Sequence, residues 1–504
     1  MKIVLLIIIF SLINLFCSIA QSNTNDFSYL SKPVYKDPVL KNWADVKYKE
    51  SVKITNPILN DNLAKSQLMR NFYNDRRVFF LEMLHEGSLI TEGKVHQYVN
   101  SILNDITKAN QIPPMKLFIV KDYTINAFNM GEDAIYVHLG LITSTTSKEQ
   151  LIYVMAHEVA HDYYHHYDST LMTYVKQHFD KDVRAQKNKI MSSEYGRVSA
   201  LNKLFIPILL ENQEESRKHE TEADVFAYKT LKKNNNDINE VLDIFDIFET
   251  LEDPKDSLVN PKDTFLNDLS DIFYLNTIEL DYSRQLKFKT ESSLGFFEDE
   301  EESDFDKKEN ELEELLRSHP YNKDRQGLFV DMLYNENYKF NGTQENKEEY
   351  KKIQQLALKE IIVNSLYSLR LDHSIYFSIE FIKKYGLDVL PMSVIPTSFE
   401  FLAYEKIKHR AGKRIDFENN YYTENYNRFL HFLNEISPQQ SVAIAQNWVN
   451  HFSEYKIYDN PFLSIIDAID ENKDNFMLRY ENEKQNNNNN YFFLKPLKII
   501  ENDF

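Results

Sequence analysis

Apolar residues recur at helical spacing along residues 93–109, GKVHQYVNSILNDITKA, where Val95, Tyr98, Val99, Ile102, Leu103 and Ile106 share one face. The pattern then changes. Pro113-Pro114 end the run, KLFIVKD (116–122) reads as a strand, and DAIYVHLG (133–140) reads as a second strand after a turn around Gly131. Ser147-Lys148-Glu149-Gln150 has the form of a capping box, and the helix it opens presents Leu151, Ile152, Met155 and Val159 as an apolar face. Residues 62–84 and most of 170–250 read as helical, with a break at NNND (234–237). Residues 21–60 are polar and punctuated by Pro33, Pro38 and Pro57, which reads as an extended lead-in. From 326 to 482 the pattern is helix-length and amphipathic, for example 347–369, 372–385 and 438–453. Paired segments of this kind suggest an α-solenoid or a degenerate tetratricopeptide-like array, although no period of about 34 residues stands out.

Two stretches fall outside these patterns. FEDEEESDFDKKE, within an insertion at about 290–312, reads as a solvated acidic loop; it lacks the ordered spacing and glycine of an EF-hand. QNNNNN (485–490) reads as a flexible connector.

Composition narrows the function classes. The chain has 504 residues, enough for two or three domains, and 42% of them are hydrophobic, as in globular proteins. With 10 glycines and no GxxxxGK[ST] or GxGxxG stretch, the sequence disfavours Gly-rich phosphate loops. A net charge of −19 excludes nucleic acid as the expected partner. The N-terminus, MKIVLLIIIFSLINLFCSIAQSN, reads as an export signal: Lys2, an apolar Ile3–Phe16, then Ser18-Ile19-Ala20 before cleavage at Gln21. The expected location is periplasmic or secreted; an uncleaved signal would leave the protein membrane-associated. Phe16 is too bulky for a lipoprotein signal, and ALNKLFIPILL (200–210) is too short to span a bilayer, so no integral span is expected after cleavage. Cys17 is the single cysteine, so the mature chain has neither disulfides nor thiol chemistry. Any metal site must use histidine and carboxylate.

MAHEVAHDYYHH (155–166) supplies such residues. Positions i and i+4 of a helix share a face, so His157 and His161 can point at one ion, and Glu158, about 100° round the helix, can meet a water beside it. The same pentapeptide on an ordinary helix has no chemical meaning. A catalytic zinc needs a third protein ligand. The three-histidine pattern fails, because Tyr164 and Tyr167 stand where it needs glycine and histidine. The best remaining donor lies in SRKHETEADVFAYK (216–229): Glu220 can ligate, Asp224 on the same face can hydrogen-bond a ligand histidine, and the small Ala223 permits close helix approach. On their own, Glu220, Glu222 and Asp224 would read as a solvated face.

HEVAH followed by ETEAD resembles the M-48 family of zinc peptidases. VHQYVNSILNDI and IPPMKLFIVKDYTINAFNMGEDAIYVHLGLI precede the zinc helix in the order that family uses, and RSHPYNKDR (317–325) is similar to its HP…R segment. The resemblance covers roughly 93–325 and points to a soluble, exported, BepA-like branch. It implies a mainly α (α+β) fold: a zincin-like metalloprotease core, with a small β-sheet carrying an edge strand and two zinc-binding helices, followed by an all-α helical-repeat-like region. It implies one Zn2+ per chain on His157, His161 and Glu220, Glu158 as catalytic base, and Asp224 orienting a ligand histidine. Asn126, Ala127 and Phe128 and the strand Ala134, Ile135, Tyr136, Val137 would lie along the cleft, the IYV strand as the edge. His319 would approach the metal cleft as a transition-state donor or a gate, with a helix-capping role as its structural alternative. The distance from Asp224 to His319 is longer than in compact family members, in keeping with the acidic insertion. The expected domains are a signal peptide (1–20), an N-terminal extension (21–84), the zinc metallopeptidase domain (85–330), the helical region (331–483) and an Asn-rich tail (484–504).

The implied reaction is zinc-dependent endopeptidase hydrolysis of unfolded or misassembled cell-envelope proteins, with Glu158 activating the attacking water. The substrates are proteins or peptides, and the C-terminal helices are a place for an envelope protein partner. Two alternatives stand beside it. One is an exported helical-repeat scaffold or chaperone whose zinc site is latent or structural. The other is a non-peptidase zinc hydrolase, against which the cleft strands argue.

Overall fold

The structure, a computed structural model, describes residues 30–31, 34–59, 63–179, 197–252, 322–336, 338, 340, 347–419, 422 and 424–452. The signal segment, the acidic insertion, His319 and the Asn-rich tail lie outside the described residues. The chain divides into two compact units, one of Lys32–Asp253 with Leu286–Ile353, the other containing Gln354–Phe504. Both are dominated by helices, and the one sheet among the described residues has four strands.

The first unit opens with helices α1 (Pro38–Leu59) and α2 (Leu63–Glu86). Helix α1 overturns the extended reading of 21–60. Pro38 sits at the start of the helix, where its missing N–H costs nothing, and Asp37 Oδ1 accepts from Val39 N–H (2.7 Å) and Leu40 N–H (3.3 Å). The proline that argued for extension therefore begins a helix. Its inner face, Leu40, Trp43 and Ala44, joins the core, with the Trp43 ring 5.1 Å from Phe80 and 5.3 Å from Phe118. Helix α2 buries Met69, Tyr73, Arg76, Phe80 and Met83, a stripe at helical spacing.

Strand β1 (Leu89–Ile90), helix α3 (Gly93–Ala109), and strands β2 (Lys116–Val120), β3 (Ala127–Asn129) and β4 (Ala134–His138) follow. The order across the sheet is β1-β2-β4-β3; β2 and β4 run parallel, and β1 and β3 are antiparallel to their neighbours. Because β2 and β4 are central and covered on both faces, they read as near-continuous apolar runs, LFIV and AIYV. This corrects one expectation. Ala134, Ile135, Tyr136 and Val137 form an interior strand with every side chain buried; the edge beside it is β3. Arg76 secures the β3–β4 turn, donating from Nη1 to the carbonyls of Met130 (2.7 Å) and Gly131 (3.0 Å). Gly131 has φ of +70°, and Asn129 Oδ1 accepts from its N–H at 2.7 Å. Gly140, just after β4, admits no side chain: a Cβ there would lie 1.9 Å from the carbonyl oxygen of Tyr123.

Helices α4 (Leu139–Ser144), α5 (Lys148–Tyr163), α6 (His166–His178) and α7 (Arg197–Lys233) come next, then α8 (Ile244–Glu252) and α9 (Asn322–Asn335). The α5 cap is a variant of the expected box. Ser147 Oγ accepts from Gln150 N–H (3.3 Å), but Gln150 Oε1 accepts from Thr146 N–H (2.8 Å), one residue earlier than in the usual motif. Its Nε2 meanwhile donates to the Glu240 carbonyl at 3.1 Å.

In the second unit, α10 (Lys347–Tyr367, shared with the first unit), α11 (Leu371–Tyr385), α12 (Val389–Ile407), α13 (Glu424–Glu435) and α14 (Pro438–His451) make up the described helices. Helix α12 is buried from Leu390 to Glu405 on every face and packs against α11 and α14. Pro396 within it has no N–H for the Met392 carbonyl, and the Trp448 indole N–H of α14 donates to that oxygen instead, at 2.9 Å. Arg370 binds two carboxylates here: Nη2 donates to Asp372 Oδ2 (3.1 Å) and to Asp416 Oδ2 (2.6 Å), and it also lies 3.3 Å from His373 Nε2.

Candidate metal centre

The candidate site forms where α5 packs against α7, with α9 behind it. Helix α5 carries His157, Glu158 and His161; α7 carries Glu220 and Asp224 on one face, four residues apart. Ala156, Ala160, Ala223 and Ala227, all without exposed surface, keep this interface free of bulk.

Three side chains converge. His157 Nε2 lies 3.0 Å from His161 Nε2 and 3.3 Å from Glu220 Oε2, and His161 Nε2 lies 3.4 Å from Glu220 Oε1. Four ligands placed tetrahedrally at about 2.0–2.1 Å from zinc are separated by about 3.3 Å along each edge. The two imidazole nitrogens and the Glu220 carboxylate, which turns Oε2 to His157 and Oε1 to His161, therefore stand at separations close to such an edge. The donor chemistry agrees: two imidazoles and a carboxylate make a nitrogen–oxygen set suited to zinc. His157 and Glu220 are buried and His161 is half-buried, so the donors are held in place by packing.

The back of His157 is fixed by a second set of groups. Asp224 is fully buried, and its Oδ1 lies 2.9 Å from His157 Nδ1. A carboxylate only accepts, so Nδ1 carries the proton and Nε2 is left to face the other donors. Asp224 is in turn gripped by Arg325 of α9, whose Nε donates to Oδ2 (2.9 Å) and Nη2 to Oδ1 (2.8 Å), and by the Tyr153 hydroxyl (2.7 Å). Arg325 Nη2 also donates to that hydroxyl, at 2.9 Å. Burial alone would raise the Asp224 carboxyl; Arg325 and His157 outweigh it and hold the group well below the usual carboxylate range. Burial alone would likewise lower His157, but the carboxylates of Asp224 and Glu220 bring it to about 10. Burial and the neighbouring His157 push His161 down to about 3.

The other residues singled out in the sequence fall as follows. Glu158 is half-buried on α5. Asn126 is exposed and Ala127 and Phe128 are half-buried on the edge strand, which packs beside α5: Asn129 Nδ2 donates to Asp162 Oδ1 at 3.1 Å. The Phe128 ring stacks on Tyr136 (4.7 Å, 5°). Tyr153 and Arg325 were not singled out. Arg325 ends the RSHPYNKDR segment, so the motif contained it, but its reach across 101 residues to Asp224 is visible only in three dimensions.

Residues 91–327 match the family model described as Peptidase family M48. With this donor set at its centre, that stretch is a metallopeptidase domain of family M48. Over 166 residues the chain is also 24% identical to a protein of Vibrio cholerae serotype O1 that carries the provisional name beta-barrel assembly-enhancing protease. The alignment spans 32% of this chain and 34% of that relative, about a third of its length.

Proposed function

We propose that the chain is a zinc metalloendopeptidase, with one Zn2+ held by His157, His161 and Glu220, that cleaves unfolded or misassembled proteins of the cell envelope. The observation that carries this reading is the convergence of His157 Nε2, His161 Nε2 and the Glu220 carboxylate, whose Oε2 lies 3.3 Å from His157 and Oε1 3.4 Å from His161, with the two nitrogens 3.0 Å apart and Asp224 behind them. Zinc bound there supplies Lewis acidity, polarising a scissile carbonyl and making water acidic enough to ionise near neutral pH. Glu158, next to His157 on α5, takes the proton of the attacking water and delivers it to the leaving amine. Asp224 keeps the His157 proton on Nδ1, and Arg325 keeps Asp224 ionised while it does so.

The edge strand β3, with Asn126, Ala127 and Phe128, binds the substrate as an added strand through main-chain hydrogen bonds. That mode tolerates many sequences and requires the substrate to be locally unfolded. Ala134–Val137 contribute by supporting β3 from within the sheet. Export rests on the N-terminal apolar segment, and among the described residues no helix is long and apolar enough to cross a membrane. The relative's name directs attention to envelope proteins as clients, with the second unit as the place to bind a partner.

The test is cleavage of an unfolded protein such as casein by the purified full chain, with and without a chelator, alongside Glu158→Gln. Cleavage that stops on chelation, returns with zinc and is absent in Glu158→Gln supports the reading. Full activity of Glu158→Gln would overturn it.

A further inference from the structure

The two ligand histidines are held differently, and the holder of the second is not part of the HExxH…ExxxD pattern. His161 Nε2 faces the donor triangle, and its Nδ1 lies 3.0 Å from Nδ1 of His166. His166 Nε2 in turn lies 3.1 Å from Glu222 Oε2. The chain turns sharply to allow this. Helix α5 ends at Tyr163, His165 takes a left-handed conformation (φ 56°, ψ 37°), and α6 begins at His166, which is thereby folded back against His161. The His166 ring is buried and lies flat on His219, with centroids 4.0 Å apart and planes at 11°. Its position is therefore set by this stack together with the contacts to His161 and Glu222.

The proton positions follow from the ends of the chain. Glu222 as a carboxylate can only accept, so His166 carries its proton on Nε2. A neutral His166 then has a lone pair on Nδ1, which can only accept from His161. His161 must donate from Nδ1, which leaves the lone pair of its Nε2 facing the triangle. We infer that His166 and Glu222 are positioning residues for the metal: the relay Glu222–His166–His161 fixes the tautomer and ring orientation of the second ligand histidine, as Asp224 does for the first. The inference rests on the proposed role of His161 as a zinc ligand. Glu222 is the half-exposed end of the relay, with a side chain 43% accessible, and it acts on the metal only through His166.

The relay is tested on the full chain by competing bound zinc against a chromophoric chelator in four variants. His166→Phe keeps a ring over His219 but removes the acceptor; zinc affinity is expected to fall by about 10- to 100-fold, as for other groups that orient a ligand histidine. Glu222→Ala, at a half-exposed position that should not disturb folding, is expected to weaken zinc by a smaller factor. The double variant should equal His166→Phe alone, because Glu222 has no other route to the metal. Glu222→Gln still offers an oxygen to His166 Nε2–H and should recover most of the loss. In the cobalt-substituted protein, the visible absorption bands of His166→Phe should shift, a response that loss of packing alone would not give. Zinc affinity unchanged in both single variants, or losses that add in the double variant, would overturn the inference while leaving the metal site standing. A wild-type chain that binds no zinc would overturn the site itself, and the relay with it.

Discussion

Each unit contains a cluster of histidine, carboxylate and arginine, and the two clusters put the arginine to opposite uses. At His157, Arg325 sits behind the donors: it binds Asp224, Asp224 binds the rear nitrogen of the imidazole, and the front nitrogen faces Glu220 and His161. At His373, Arg370 sits among the donors, bonded to Asp372 and Asp416 together. Either set of residues has the composition of a metal site. In the second, a guanidinium already occupies the place a cation would take, and the Asp416 N–H and Tyr422 hydroxyl bond the same carboxylates (2.9 and 2.8 Å). Residue types within reach of one another do not define a metal site. What matters is which direction the lone pairs face, and whether a fixed positive charge lies behind the donors or between them.

The largest effect that could break this contrast is at the reaction itself. Glu158→Gln should reduce casein cleavage by about 10²- to 10⁴-fold with zinc stoichiometry unchanged, the usual contribution of a positioned general base. His373→Gln should leave cleavage at the wild-type level.

Metal content gives the next largest difference. Glu220→Gln should lower zinc, measured by elemental analysis of the purified chain, from one per chain towards none, whereas Asp372→Asn should leave it at one. Chelation should lower the thermal unfolding temperature of the wild type, since a ligand at a thousand times its Kd stabilises by about 4 kcal/mol. The same treatment should not move Glu220→Gln. A zinc content that fell equally in Glu220→Gln and Asp372→Asn would erase the distinction between the clusters.

Stability separates the arginines by a smaller amount. Arg325 has a side chain only 10% exposed and Asp224 only 1%, so Arg325→Met leaves a charge buried without its main partner; the expected loss in urea unfolding is about 3–5 kcal/mol. Arg370 is 36% exposed and water can replace part of its bonding, so Arg370→Met should cost less. The reverse order would show that Arg370 is the more deeply committed of the two.

The smallest effect is on acid stability. The Asp224 carboxyl is depressed in the folded chain from its unfolded value of 3.8. Its contribution is therefore complete above that value and is lost only as pH falls below 3.8 towards the folded value. In Arg325→Met the folded carboxyl rises, so less of this contribution exists to lose. Urea midpoints between pH 6 and pH 3 should fall less steeply in the variant than in the wild type.

Much of this was readable along the chain wherever one side of an element meets the core. Helices α3, α5, α10, α11 and α14 follow their apolar spacing closely, and HEVAH with ETEAD marked the donors that the structure brings together. Reading failed where a local signal had two meanings. Asp37-Pro38 is both a turn signal and a helix start, and the apolar face of α1 behind it decided the matter. AIYV suited an edge strand by motif, but a run apolar at every position belongs inside a sheet. Arg325 and the His166–Glu222 pair depend on contacts across 101 and 56 residues, and no local pattern encodes those.

The grip of Arg76 on the β3–β4 turn has a consequence for affinity. The guanidinium is nearly inaccessible, with Ser51 Oγ as a further partner at 2.8 Å and the Tyr73 ring 5.1 Å away, so the turn behind the edge strand is rigid before any substrate arrives. If β3 takes substrate by strand addition, as proposed, the peptide orders only itself, and the ordering entropy lost on binding falls almost wholly on it. Chains that are already extended lose little by docking; compact ones must first be opened. On the proposed mode of strand addition, a stiff edge of this kind would sort proteins by how much structure they have left, with no need to read their sequence.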